Sequence, residues 1–339
     1  VVDFVFPLID LRTPQASLYH SPMEWLRGLC KAPRTPGEPP HWRAAGMVLL
    51  GALGLGWLLR DAPLLGWDWF YTLRAGGDID VWYPGWTKLL TWPLAQLPWR
   101  WGLAFSNGLM LAAVAIATYQ QRRDRSSALG ALLALLSPPV LVLLWAGNVD
   151  GWALLGYLTL PWGVPLLLIK PTLGAFALLT RRSWFLAGLL FAALTLLVWG
   201  WWPAQAIGMH VTGGNLHSSS SMGWYILGWP IGLVGLGLLP FTNRKDPWQM
   251  MAVGAFLMPY VFPYHFILML PVLGRWRGLR QWLVWLASWT LALSFLFGYA
   301  AAWMGYVFPL AVWLLVAAET RREQTWLAAI SHQIHRLIN

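Results

Sequence analysis

Apolar runs about as long as a membrane crossing alternate along the chain with short polar or basic breaks. The first run, 44–59, follows a stretch rich in Pro and basic residues that ends at Arg43. After Arg60 comes a loop holding Asp61, Asp68, Asp78 and Asp80, then an amphipathic stretch, 86–100, and a second run, 103–119, which stops at Arg122, Arg123 and Arg125. The runs 128–146 and 152–169 contain Pro138, Pro139, Pro161 and Pro165. Proline removes a helical hydrogen bond, so both runs predict short or bent helices whose freed backbone groups face protein or a wet cavity. The run 184–202 is uninterrupted, and a polar loop, 203–222, separates it from 224–241. The stretch 249–274 is too long for one span and too short for two, and Pro259, Pro263 and His265 interrupt it. It reads as two half-length helices meeting in a polar break. Runs at 282–298 and 301–318 complete the series. The pattern predicts an all-α polytopic membrane protein, a bundle of about eight to eleven transmembrane or re-entrant helices with a short external loop after the first span. Segment 1–43 precedes the membrane domain 44–318, and 319–339 follows it as an amphipathic tail helix with Trp326, Leu327, Ile330, Ile334, Leu337 and Ile338 near one face.

Composition points the same way. Of 339 residues 58% are hydrophobic and only 11% charged, less than half the roughly 25% usual in soluble domains, which argues against a water-soluble enzyme. The 27 tryptophans suit membrane interfaces, where the ring sits in the acyl region and the N–H reaches water. Cys30 is the single cysteine, so no internal disulfide framework or multi-Cys metal site is expected. A net charge of +10 would suggest nucleic acid in a soluble protein. Here, with the N-terminus in the cytoplasm, the clusters Arg122/Arg123/Arg125, Arg181/Arg182, Arg244/Lys245, Arg275/Arg277/Arg280 and Arg321/Arg322 all fall on the cytoplasmic side. The charge then needs no nucleic-acid partner. The expected location is the plasma or inner membrane, with both termini cytoplasmic, and residues 1–42 show no cleavable signal peptide.

Polar residues in or beside membrane are the candidates for chemistry, because an ionisable group there is costly to keep. Asp68 follows the first span among Trp67, Trp69, Phe70 and Tyr71, where partial desolvation would raise a carboxylate toward the range of a useful base; an interfacial acid open to water is an equal reading. Gly147-Asn148-Val149-Asp150-Gly151 reads first as a turn. Lys170-Pro171 ends an apolar run and either presents an ammonium to a phosphate or snorkels. The loop from His210 to Met222 is polar enough to line an aqueous cavity, and equally reads as a linker. His265 sits where the two half-helices meet. Nucleotide-binding loops, dinucleotide fingerprints and HExxH or Cys-His clusters are absent from the sequence.

In their order these features resemble the multi-spanning glycosyltransferases of the GT-C superfamily, and within it the polyprenol-phosphate-sugar-dependent family 87, mannosyltransferase-like and of DUF2029 type. The resemblance runs from about Asp68 to Pro271. It rests on Asp68-Trp69-Phe70-Tyr71 after the first span; on Tyr83-Pro84-Gly85-Trp86 with Pro93-Leu94 and Leu97-Pro98; on Ser137-Pro138-Pro139 and Gly147-Asn148; on Lys170-Pro171; on Asn215 with Ser218 to Ser221; and on the break from Pro259 to His265. It implies inverting transfer of a mannose-like hexose from a polyprenyl-phosphate donor to a lipid, glycan or protein acceptor on the outer face. Asp68 is the implied general base and Asp78, in Asp78-Ile79-Asp80-Val81-Trp82-Tyr83, the second candidate. Lys170, His265 and Arg74 are the implied partners of the donor phosphate. Asn148, Asn215 and Tyr83 would position donor or acceptor. A lipid-linked sugar is a substrate, so no cofactor is expected, and no obligatory metal, although paired external acids leave a metal open. Two alternatives from other classes stand beside it: a transporter or lipid flippase, and a non-catalytic subunit of a larger membrane complex.

Overall fold

Proline and glycine cut the apolar runs into more pieces than their hydropathy alone foretells. The computed structural model describes residues 41–60, 66, 68–70, 83–121, 128–204, 222–223 and 227–338. The chain divides into two compact units, Val1–Ala44 and Ala45–Asn339, and the fold is that of the second. The helices of the described residues are α1 (His41–Leu59), α2 (Gly85–Ala95), α3 (Trp99–Gln120), α4 (Ala128–Leu135), α5 (Pro138–Ala146), α6 (Ala153–Leu158), α7 (Val164–Leu167), α8 (Leu173–Leu178), α9 (Arg182–Trp199), α10 (Trp229–Leu238), α11 (Pro247–Leu257), α12 (Leu279–Phe297) and α13 (Val307–Ile338). Short 3₁₀ turns join several of them, and one long 3₁₀ helix, Pro263–Gly274, lies between α11 and α12. The described residues contain no strand, only an isolated bridge between Met222 and Val261.

Among the described residues three helices are long and apolar enough to cross a membrane: Trp99–Gln120, Arg182–Trp199 and Ala302–Arg322. Ala128–Leu135 and Pro138–Ala146 make a fourth if counted as one span bent by 49°. The bend falls at Ser137-Pro138-Pro139, where the prolines open α5 and have no N–H to continue α4. The apolar helices Gly46–Leu59, Trp229–Phe241 and Pro263–Gly274 are shorter. The sequence count of eight to eleven segments therefore includes many that are half-length pieces. The run 152–169 breaks at Pro161 into α6 and α7, and after Pro171 α8 follows as a six-residue helix that the hydropathy pattern did not mark. The tail is not a separate helix: α13 runs unbroken through 319, a stretch with no Pro or Gly to stop it.

Burial separates inner from outer helices. In the most apolar window 72% of α3 is buried against 11% of α9, whose Leu186, Leu190, Leu194 and Leu197 all face outward. A row of this kind would be a large apolar patch in water and fits a lipid surround. Inside, small residues let backbones meet: a Cβ on Gly56 of α1 would lie 2.4 Å from the Ala104 carbonyl of α3. The centre is the Pro263–Gly274 helix, every residue of which is buried, packed against α3, α4 and α5. Gly274 meets α3 so closely that a Cβ there would overlap the Thr118 carbonyl. Beyond it Arg275 binds two acids, its Nη1 donating to Asp246 Oδ2 at 2.5 Å and its Nε to Glu319 Oε2 at 2.6 Å. Asp246 also caps α11 by accepting from the Trp248 and Gln249 N–H groups. One charged cluster thus ties α11, the central helix and α13 at this end.

Candidate active site

At the other end of the central helix four segments converge, and each is brought there by local chemistry. The first two meet through a pair of glycines. Gly147 follows α5 with φ +68°, the left-handed conformation that closes many helices. A Cβ there would lie 2.6 Å from Gly66 Cα and 3.1 Å from Trp69 Cβ. Gly66, also at positive φ, donates its N–H to the Trp145 carbonyl at 2.9 Å. Trp69 is fully buried and packs so closely on Gly102 that a Cβ there would lie 2.7 Å from its ring. This crossing sets Asp68 beside Asn148, 80 residues away, and the Asn148 amide donates to Asp68 Oδ2 at 2.9 Å.

Asn148 is held by its own turn. Its Oδ1 accepts the Asp150 N–H at 2.9 Å, capping the 3₁₀ turn Val149–Trp152. With the amide oxygen engaged, the NH₂ is left to face Asp68. The third segment carries Lys170. The opening of α2 pins it, with Trp86 Nε1 donating to the Leu168 carbonyl at 3.1 Å and Thr87 Oγ1 to the Ile169 carbonyl at 2.6 Å. Thus Tyr83-Pro84-Gly85-Trp86 fixes the chain just before the lysine. The fourth segment, 258–262, is the break between α11 and the central helix. It is tied to Met222 by two backbone hydrogen bonds to Val261, at 2.7 and 2.8 Å.

Asp150 joins these parts. It is only 4% exposed. Its Oδ2 lies 3.2 Å from His265 Nε2 and 3.9 Å from Lys170 Nζ. The other ring nitrogen of His265, Nδ1, accepts the Phe262 N–H at 3.1 Å, which marks Nε2 as the protonated nitrogen of a neutral imidazole. Both nitrogens of His265 are therefore engaged, one with backbone and one with Asp150. Lys170 Nζ donates to the Tyr264 hydroxyl at 3.3 Å and lies 5.4, 5.3 and 6.0 Å from the ring centroids of Tyr83, Tyr264 and Phe262. The ammonium sits in an aromatic cradle that favours a cation. Tyr264 is its one hydrogen-bond acceptor among the described residues, which leaves N–H donors for an incoming anion.

The two carboxylates are tuned in opposite directions. Burial pushes Asp68 above the ordinary carboxylate value, and the Asn148 hydrogen bond and Lys170 charge offset this only in part. Burial also acts to raise Asp150, but the Lys170 charge, with the His265 contact, outweighs it and holds Asp150 below that value. Burial, then the charges of Asp150 and Asp68, push Tyr83 and Tyr260 up, so both remain neutral phenols able to donate. One acid is poised to take a proton and the other is locked as a counter-ion. Environments that drive neighbouring acids apart are a mark of functional sites.

Of the residues named from sequence, Asp68, Asn148, Lys170, His265 and Tyr83 share this site. Arg74, Asp78 and Asn215 lie outside the described residues. Sequence reasoning passed over Asp150 as part of a turn, and the available signal was that a carboxylate in an apolar surround requires a partner. Among the described residues no group of three or more His, Cys, Asp or Glu gathers to hold a metal. A comparison of the chain with protein-family models, curated proteins and solved structures finds no match.

Proposed function

We propose that this chain is a polytopic membrane glycosyltransferase of GT-C type that moves a hexose from a polyprenyl-phosphate donor to an acceptor hydroxyl at the outer face of the membrane. The observation that carries the reading is the juxtaposition of a carboxylate with raised proton affinity, Asp68, and an ammonium with donors to spare, Lys170, joined through Asn148 and Asp150. In the reaction the acceptor O–H gives its proton to Asp68 as its oxygen attacks the anomeric carbon. The bond from that carbon to the phosphate oxygen breaks on the opposite side, so configuration inverts. Polyprenyl phosphate leaves with the bonding pair, and Lys170 and the Tyr264 hydroxyl neutralise the charge that develops on it. His265 serves as a positioning residue: it holds Asp150, which holds Lys170. Asn148 orients Asp68. An activated lipid donor makes a nucleotide site unnecessary.

The test is transfer from radiolabelled polyprenyl-phosphate hexoses to candidate lipid, glycan and peptide acceptors by the purified full chain in detergent. Transfer by wild type, lost in Asp68→Asn and strongly reduced in Lys170→Met, is the expected result. Undiminished transfer by Asp68→Asn would overturn the assignment of the base. Movement of labelled lipid across proteoliposomes with no new glycosidic bond would replace the enzyme reading by the flippase one.

A further inference from the structure

The end of the bundle away from Asp68 has a site of its own. An open cleft of about 600 Å³ is lined by Arg275, Trp276, Arg277, Leu279, Arg280 and Glu319, a volume in the range of small-ligand sites. It lies about 18 Å from His265 along the central helix, nine residues at the 3₁₀ rise, and so is separate from the candidate active site. Arg275 is consumed by Asp246 and Glu319, which together exceed its charge. Arg277, exposed, and Arg280, half-buried, turn the lining positive again.

Two independent features of the same lining favour an anion. The cleft includes the first turn of the 19-residue helix α12, whose N-cap Gly278 supplies no side-chain cap, so the positive end of the helix dipole, at the N–H groups of Leu279 and Arg280, faces it. Trp276 is more than nine-tenths buried, and its indole N–H has no acceptor among the described residues. From the cleft an apolar face runs down α12: Leu279, Leu283 and Leu286 lie on one side of the helix and are 74%, 49% and 55% exposed. A soluble anion has no use for that face, whereas a lipid with a charged headgroup uses both parts. Arg244 and Lys245, next to Asp246, and Arg321 and Arg322, next to Glu319, surround the same end with positive charge, the side at which anionic headgroups are held between helices.

We propose that this cleft binds the phosphate headgroup of an anionic lipid, with its acyl chains along Leu279, Leu283 and Leu286. The binding does not depend on the transfer chemistry proposed above. The test uses the purified, delipidated full chain in mixed micelles at fixed ionic strength, and reads the thermal unfolding midpoint with phosphatidylglycerol, phosphatidylcholine or inorganic phosphate. Phosphatidylglycerol is expected to raise the midpoint by about 3 °C, with no rise from the other two. Arg277→Gln/Arg280→Gln loses the rise, while Arg244→Gln/Lys245→Gln, at the same end but outside the cleft, keeps it. The proposal is overturned if phosphatidylcholine or inorganic phosphate alone gives the full rise, if the Arg277/Arg280 variant retains it, or if both double variants lose it equally, since that result describes diffuse attraction.

Discussion

Replacing Gly147 by alanine tests the crossing that assembles the candidate active site, without reference to activity. At φ +68° an alanine pays about 1–2 kcal/mol for the left-handed conformation. Its Cβ also arrives 2.6 Å from Gly66 Cα, and that obstacle is backbone, so the whole Gly66–Phe70 segment has to move. Overpacking of this kind costs about 1–3 kcal/mol, for a total of about 2–5 kcal/mol. Asparagine separates the two contributions, because it tolerates the left-handed region but carries the same Cβ. The expected result in thermal unfolding of the detergent-solubilised chain is the full loss for Gly147→Ala and a smaller but clear loss, about 1–3 kcal/mol, for Gly147→Asn. A Cβ on Gly46 meets nothing within 4 Å, and alanine there is expected to be neutral or stabilising by about 0.5–1 kcal/mol. Recovery of the wild-type midpoint by Gly147→Asn would refute the reasoning, since it would mean that dihedral strain and not the Gly66 contact governs the site.

Three further outcomes follow from the charges. Transfer activity should fall on the acid side with an apparent pKa above the ordinary carboxylate value, because Asp68 must be ionised and burial raises it; Asn148→Ala, which removes a hydrogen bond that lowers it, moves that limb to higher pH, and an unmoved limb would sink the role given to Asn148. Asp150 is held below the ordinary value in the fold, so its contribution to stability is present above the unfolded carboxylate pKa of about 3.9 and is lost as pH falls through the folded value. Asp150→Asn should flatten that acid-side loss and destabilise by roughly 3–5 kcal/mol at neutral pH by leaving Lys170 without its buried counter-ion, to be read from denaturation midpoints against pH. Arg275→Gln removes the cation that the Asp246 and Glu319 carboxylates share and should lower the unfolding midpoint sharply, with Arg275→Lys a partial rescue, since a single ammonium does not match the two separate donors; full rescue by lysine would show that charge alone suffices.

Breaks in the helices were legible from sequence because proline acts locally: the bend at Pro138, the fragmentation around Pro161 and Pro165, and the gap before Pro263 all follow from a missing N–H. The convergence of Asp68, Asn148 and Lys170 was legible only as a resemblance of motifs in order. What joins them is a glycine-to-glycine crossing and contacts between residues 80 and 94 positions apart, which no local pattern encodes. Asp150 was hidden for a related reason. Beside Asn148 it has the composition of an ordinary capped turn, and its partners lie on two other segments. The 3₁₀ form of Pro263–Gly274 was also out of reach, since a helix apolar on every side carries no periodicity to separate three residues per turn from 3.6.

That central helix also acts as a ruler. At a 3₁₀ rise its twelve residues reach about 24 Å, where an α-helix of the same length would reach about 18 Å. One end is fixed by Arg275 to two other helices, and the other presents His265 to Asp150. Its length therefore sets how far His265 stands from the Arg275 anchor, and no flanking loop takes up slack on the anchored side. Removing one residue would draw His265 back by about 2 Å and turn it by about a third of a revolution, away from Asp150. Between His265 and Gly274, composition is free to drift among apolar side chains of similar size, but the number of residues is not.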